Sequence, residues 1–207
     1  MKEDALRRFM PSRMRFVHYS WPLRPTVCPC DVDFCAYLLE RNVRQASIFH
    51  FGSGGHHIVG LRNHDAGLQN DILALTLAPP EHSSYVARVI RDPGLGKHYK
   101  VLFADIYSLG AATLPAFDIV TLFHLCEFAD DRSAGRRLND AQVLALFTSK
   151  LVAGGLLMLY PGSYGFSRVT PLAAQLVSDG RISLLEKYRS LLVYQAPRHP
   201  PLHSDSE

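Results

Sequence analysis

Five short apolar runs, at residues 46–51, 72–77, 101–104, 119–123 and 156–160, follow one another at intervals long enough for a helical crossover. This spacing constrains the fold more than any other feature. Parallel strands cannot be joined by a tight turn, so such a chain builds a parallel sheet with helices on its faces. The runs are near-continuously apolar rather than alternating, which fits strands covered on both sides. Between them, amphipathic stretches predict helices over 56–63, 81–90 and 141–150, the last capped by Asn139 or Asp140. Gly154 and Gly155 punctuate the turn into the fifth run, and a further helix runs from a Thr170 cap to 177 and is closed by Gly180. The final runs, 182–185 and 191–194, are separated by a gap holding Lys187, Tyr188 and Arg189. That gap is too short for a crossover, so these two strands are expected to be antiparallel. Ahead of the first run, a Pro-rich approach through Pro22, Pro25 and Pro29 leads to a helix predicted over 32–41, with Asp31 as its cap.

A chain of 207 residues makes one domain of this kind. The expected division is a helical lid over the ligand cleft at 1–42, the α/β domain at 43–196, and a Pro-, His- and Ser-rich disordered tail at 197–207. With 47% hydrophobic and 20% charged residues, the composition excludes disordered, collagenous and coiled-coil classes. The net charge of +3 comes without a basic stripe; the cluster Arg7, Arg8, Arg13 and Arg15 is broken by apolar residues, so no nucleic-acid partner is expected. No run reaches the roughly 18 apolar residues of a membrane span, and the start lacks a secretory apolar segment. A cytoplasmic protein, monomer or homodimer, is expected. Cys28, Cys30, Cys35 and Cys126 contain no CxxC pair, and among His50, His56, His57 and His64 there is no H-x-x-x-H pair of the kind that shares a metal on one helix face. The spacing therefore predicts reduced thiols and no metal site.

The chemistry concentrates in IFHFGSGGHHIV at 48–59, where a strand passes through a glycine-rich turn into a helix. Such a turn lies at the carboxyl edge of an open α/β sheet, where ligands bind. Gly52 and Gly54 allow close backbone approach, and the helix start near His56 offers unpaired N–H groups to an anion. A dinucleotide fingerprint fits poorly, because position 57 is histidine rather than glycine and the second strand ends without an acidic residue.

Further segments fall in a consistent order: LTLAPPEH at 75–82, FADI at 103–106, FDIVTLFHLCEF at 117–128 and LVAGGLLMLY at 151–160. In that order the chain, from about Val43 to Tyr194, resembles the class I S-adenosylmethionine (SAM) dependent methyltransferases. The first of these segments, LTLAPPEH at the end of the second strand, is similar to the Thr-Leu-Ser-x-Glu-Gln signature of their cyclopropane-fatty-acid-synthase branch. The resemblance implies a Rossmann-like α/β fold with a seven-stranded, mostly parallel sheet of order 3-2-1-4-5-7-6 and an antiparallel last strand. It implies SAM as cofactor, held by Phe51, Gly52, Ser53, Gly54, His56, Thr76, Leu77, Asp105, Ile106 and His124. Thr76 would offer its hydroxyl to the ribose, Asp105 would accept from the adenine amine, and Ile106 would pack the ring. The implied reaction is methyl transfer to a small molecule.

For that reaction, His124 and Glu127 beyond the fourth strand are the candidate general bases. Tyr19, Trp21, Tyr160 and Tyr164 are candidate walls of the acceptor pocket, able to face a sulfonium by cation–π contact. The chain departs from the family at His50, which stands where a carboxylate ordinarily serves as counterion to the SAM amine. A neutral imidazole supplies no such charge. This makes His50 a candidate catalytic residue in a second reading, in which the SAM amine stays neutral and attacks its own γ-carbon, releasing methylthioadenosine. That reaction resembles the azetidine-2-carboxylate-forming SAM cyclases. A non-catalytic SAM-binding protein is the third reading.

Overall fold

The computed structural model describes residues 18–127 and 138–198; the Arg7 to Arg15 cluster and positions 199–207 of the expected tail lie outside these. Among the described residues, thirteen helices and strands and two 3-10 turns position the site. In chain order, α1 (Cys30–Glu40) leads to β1 (Ser47–Phe51), α2 (Ile58–Asp65), β2 (Asp71–Thr76), α3 (Pro79–Arg91), α4 (Leu95–His98) and β3 (Tyr99–Phe103). Two 3-10 turns precede β4 (Phe117–Thr121), followed by α5 (Asp140–Ser149), β5 (Leu151–Leu159), α6 (Phe166–Ser178), β6 (Ser183–Tyr188) and β7 (Leu191–Gln195). The strands form one sheet of order β3-β2-β1-β4-β5-β7-β6. The ladders among β1 to β5 are parallel, while β7 runs antiparallel to both β5 and β6.

The core is two apolar layers, one on each face of this sheet. Strand β1 feeds both, with Ile48 in one layer and Phe49 in the other, each fully buried, as its unbroken apolarity predicts. Helix α1 belongs to the same core: Phe34 is 0% exposed and Leu38 1%. Its polar side is fastened to the last hairpin, where Tyr188 OH donates to Glu40 at 2.6 Å and Ser190 donates to Asp33. The segment expected as a lid thus divides, α1 being interior and 18–28 a strap along the cleft.

Several boundaries differ from the sequence reading. Helix α1 starts at Cys30 with Pro29 in the cap position, because Pro29 already holds helical dihedrals (φ −79°, ψ −8°), so Asp31 lies inside the first turn. Helix α2 begins two residues later than expected, since His57 takes a left-handed conformation at φ 53°. Helix α6 begins at Phe166, and Thr170, expected as its cap, instead donates its hydroxyl to the Phe166 carbonyl at 2.8 Å within the helix, with Pro171 tolerated one position on. The Gly154–Gly155 pair lies inside β5 rather than before it, at an irregularity where the β4–β5 register shifts between Phe117 and Ile119.

Candidate active site

A cleft of about 840 Å³ opens at the carboxyl ends of β1 to β5, walled on its outer side by the strap. Its first wall is the glycine turn. Gly52 has φ +90° and nothing within 4 Å of where a Cβ would lie, so the backbone needs glycine there and faces open space. Gly55 serves a different purpose: a Cβ would lie 2.0 Å from Ser20 Oγ, and its N–H donates to the Trp21 carbonyl at 3.1 Å. The turn therefore seats the strap as well as facing the cleft. Behind it, His57 is held by Tyr99 OH at 3.0 Å and the Glu81 carbonyl at 3.0 Å, and burial pushes its imidazole down to about 4. Because a carbonyl only accepts, Nε2 carries the proton and Nδ1 accepts from the tyrosine.

The ends of β2 and β3 form the next wall. The Thr76 hydroxyl donates to Glu81 Oε2 at 2.6 Å and accepts from Ala78 N–H at 3.1 Å. Its proton is thus directed to Glu81 within the protein, while Thr76 itself still lines the cleft. Glu81, 3% exposed, is the residue the sequence reading missed here: its other oxygen accepts from Trp21 N–H at 3.1 Å, joining the strap to β2. Burial, against the Thr76 and Trp21 hydrogen bonds, holds its carboxyl above the usual range. Asp105 lines the cleft, oriented by Tyr107 N–H donating to Oδ1 at 3.0 Å, with Ile106 beside it.

The far wall is assembled from remote segments. Cys28 Sγ lies 3.3 Å from Cys30 Sγ, and His124 Nε2 lies 3.6 Å from the first and 3.7 Å from the second. His124 Nδ1 meets Glu127 Oε1 at 3.0 Å, and that oxygen also accepts from Ser163 Oγ at 2.7 Å and Tyr164 N–H at 3.0 Å. Burial opposes protonation of His124, but the Cys28 and Glu127 contacts override it and hold the imidazole up at about 10. The hydrogen bond with Cys30, aided by His124, pulls the Cys28 thiol well below its ordinary range despite burial; Cys30, the other member of the pair, is pushed up. Glu127 thus receives three partners on one oxygen, which fixes its carboxylate against His124.

Asp31 links this wall to the glycine turn. Its carboxylate lies 3.7 Å from Cys30 Sγ and 3.7 Å from His50 Nε2 through one oxygen, and 3.6 Å from His56 Nε2 through the other. Burial raises it to about 7. His50 is 1% exposed, stacked near Phe34 with ring centroids 6.2 Å apart, and is not in the cleft wall. Burial drives it down to about 3, so it is neutral. Its Nδ1 pairs with Thr121 Oγ1 at 2.8 Å, while its Nε2 is buried without a hydrogen-bond partner.

Of the sequence-predicted residues, Phe51, Gly52, Gly54, His56, Thr76, Leu77, Asp105, Ile106, His124, Glu127, Tyr19, Trp21, Tyr160 and Tyr164 all line this one cleft. Ser53 does not; it is 1% exposed, with its hydroxyl turned into the protein and unpartnered. The thiols and Asp31 were not foreseen as a site; the two cysteines meet a third group, His124, that comes from 94 residues away.

No family model matches the chain, and no curated protein matches it. Solved structures do. The CcbJ methyltransferase from Streptomyces caelestis superposes with a TM-score of 0.60 at 10% identity, over 86% of this chain and 93% of that one. The chain has the class I methyltransferase fold. The N-methyltransferase NodS from Bradyrhizobium japonicum WM9, in complex with S-adenosyl-L-homocysteine, gives a TM-score of 0.57 at 14% identity, covering 85% of this chain and 92% of that one. The magnesium protoporphyrin IX methyltransferase ChlM from Synechocystis PCC 6803, with bound SAM, gives 0.55 at 11% identity over 83% and 79%. A methyltransferase fold with its cleft at the carboxyl ends of the strands accounts for where the glycine turn, Asp105 and His124 stand.

Proposed function

We propose that this protein is a SAM-dependent methyltransferase acting on a small-molecule acceptor. The observation that carries the reading is the convergence, in one cleft of a methyltransferase-type sheet, of the left-handed Gly52 turn, Asp105 and the aromatic residues Tyr19, Trp21 and Tyr160. The cleft's volume suits a cofactor together with a small acceptor, and the clear space over Gly52 fits close approach by the cofactor's amino-acid end. SAM bound there supplies an electrophilic methyl group on a sulfonium.

Asp105 receives the adenine amine on the lone pairs that Tyr107 N–H leaves to it, and Ile106 packs the ring. Leu77 and the main chain after β2 border the ribose, since the Thr76 proton is taken by Glu81. Gly52, Gly54 and His56 border the carboxylate, while Asp31, raised to about 7 by burial, offers beside His50 a carboxyl group that the cofactor's ammonium would draw into its charged form. Tyr160, Tyr19 and Trp21 wall the acceptor side, and His124 is the polar group facing it. Aligning the acceptor with the methyl group is the main source of acceleration. The strap over the cleft favours a small acceptor over a polymer.

The cyclase reading rests on the missing carboxylate at position 50. Asp31, within 3.7 Å of that histidine, restores a carboxylate to the same region, so transfer is the reading favoured. Calorimetry with SAM and S-adenosylhomocysteine tests the proposal, with saturable binding and a raised melting temperature expected. An unchanged melting temperature at saturating cofactor would overturn it. Methylthioadenosine formed from SAM alone would move the assignment to the cyclase, and tight binding without turnover on any acceptor would leave a SAM-binding protein.

A further inference from the structure

The thiol wall is more than the acceptor side of a cleft. Tetrahedral zinc with Zn–S of about 2.3 Å and Zn–N of about 2.0 Å sets its ligand atoms about 3.6 to 3.8 Å apart. The three distances among Cys28 Sγ, Cys30 Sγ and His124 Nε2 are 3.3, 3.6 and 3.7 Å. The two sulfur–nitrogen separations match, and the sulfur–sulfur one, at 3.3 Å, has only to widen slightly for three soft or borderline donors to form one face of such a tetrahedron. Their supports match the need. Pro29 fixes φ between the two cysteines, and Glu127 holds His124 by its other nitrogen at 3.0 Å, the carboxylate–histidine arrangement that aims a metal-binding imidazole. Cys30 is 1% exposed, and the triad stands beside a buried carboxylate, Asp31, and the unpartnered Nε2 of His50. Cys28 and His124 also line the cleft, so the fourth corner faces it.

We propose that Cys28, Cys30 and His124 bind one zinc ion, and that its fourth position, open to the cleft, takes the thiolate of the methyl acceptor. The zinc site stands on the triad alone; the acceptor clause rests on the methyltransferase reading. Two thiolates and an imidazole leave the metal formally neutral and soft, which favours sulfur as the fourth ligand. Coordination releases the thiol proton to solvent. A lone pair of the bound sulfur then forms the new bond to the methyl carbon as the methyl–sulfonium bond breaks, its electron pair remaining on the cofactor sulfur. The methyl thioether is a poor ligand and leaves.

Protein purified under reducing conditions is expected to hold one zinc per chain by elemental analysis, and cobalt(II) replacement to give the thiolate charge-transfer and intense visible bands of a tetrahedral site. Both signals should disappear in Cys28→Ser and Cys30→Ser and persist in Cys35→Ser, whose thiol instead meets the Ile58 carbonyl. Because Cys30 is interior, Cys28→Ser decides if Cys30→Ser fails to fold. Glu127→Gln should bind zinc roughly 10- to 100-fold more weakly in competition with a chromophoric chelator, without changing the stoichiometry. Metal binding that is absent, or indifferent to Cys28→Ser, overturns the site. A Cys28–Cys30 disulfide found in freshly isolated protein also overturns it. For the acceptor clause, 2-mercaptoethanol added to the cobalt protein should intensify the charge-transfer band. No response overturns that clause and leaves the zinc site standing. SAM calorimetry on chelated protein reports separately on the methyltransferase reading.

Discussion

The two ends of the cleft are built in different ways. The end bounded by the glycine turn, β2 and β3 takes its residues from short contiguous segments, each following its own strand. The thiol end takes Cys28, Cys30 and Asp31 from before the sheet, His124 and Glu127 from after β4, and Ser163 from after β5. A site of the first kind is set by local turn chemistry, while one of the second kind exists only when the whole domain has closed. The first should therefore tolerate damage elsewhere in the fold better than the second.

The strongest challenge to that contrast is Phe34→Ala. Phe34 lies behind the thiol end and packs toward both His50 and Phe123, and emptying such a site costs about 3 to 5 kcal/mol. A cooperative fall in melting temperature is expected; an unchanged melting temperature would show that α1 is a detachable lid. The glycine-turn end can be probed by pH through His57. Its imidazole sits near 4 when folded against 6.5 as a free side chain, so between those values the unfolded chain binds the extra proton. The stability His57 contributes is therefore complete above about pH 6.5 and lost as pH falls towards 4, by at most about 1.4 kcal/mol per pH unit. Urea unfolding of the parent and His57→Gln should show their difference shrinking over that window; a constant difference would mean that His57 is not kept neutral by burial. Asp105→Ala should weaken SAM binding by roughly 10- to 100-fold in calorimetry, the magnitude of a lost carboxylate hydrogen bond, with little effect on the thiol end. The smallest effect is expected from Thr76→Val. It should cost about 1 to 2 kcal/mol of stability by leaving Glu81 short of a donor, yet leave SAM affinity near that of the parent. A large loss of affinity would return Thr76 to the ribose.

The same contrast explains what was legible in the sequence. The parallel strands and the antiparallel final pair follow from periodicity, and the need for glycine at position 52 from the strand–turn–helix motif, all confined to a few consecutive residues; the order of strands and the reading of Asp105 follow from the resemblance to class I methyltransferases. The fates of Thr76 and Ser53 did not follow, because a hydroxyl's partner depends on which side chain reaches it. Glu81, five residues after Thr76, takes the threonine proton, and burial takes the serine out of the cleft wall. The triad escaped for a further reason. A CxC pair with one proline between carries no recognisable ligand spacing, and its third member follows β4, where the parallel crossover of the sheet brings it back. Asp31 read as a helix cap because it precedes an amphipathic run, whereas the helix starts two residues earlier, after Pro29, and Asp31 lines the cleft from its first turn.

The strand order also bears on how the polypeptide can be made. Strand β7, made after β6, takes a seat inside the sheet between β5 and β6, and the β6–β7 hairpin holds α1 through partners 148 and 157 positions away. Until that hairpin has been made, β5 presents a bare apolar edge and α1 lacks its anchor, so synthesis passes through no finished half-domain. A message cut shortly before residue 191 would yield an aggregation-prone product that calls on chaperones, not a smaller working protein.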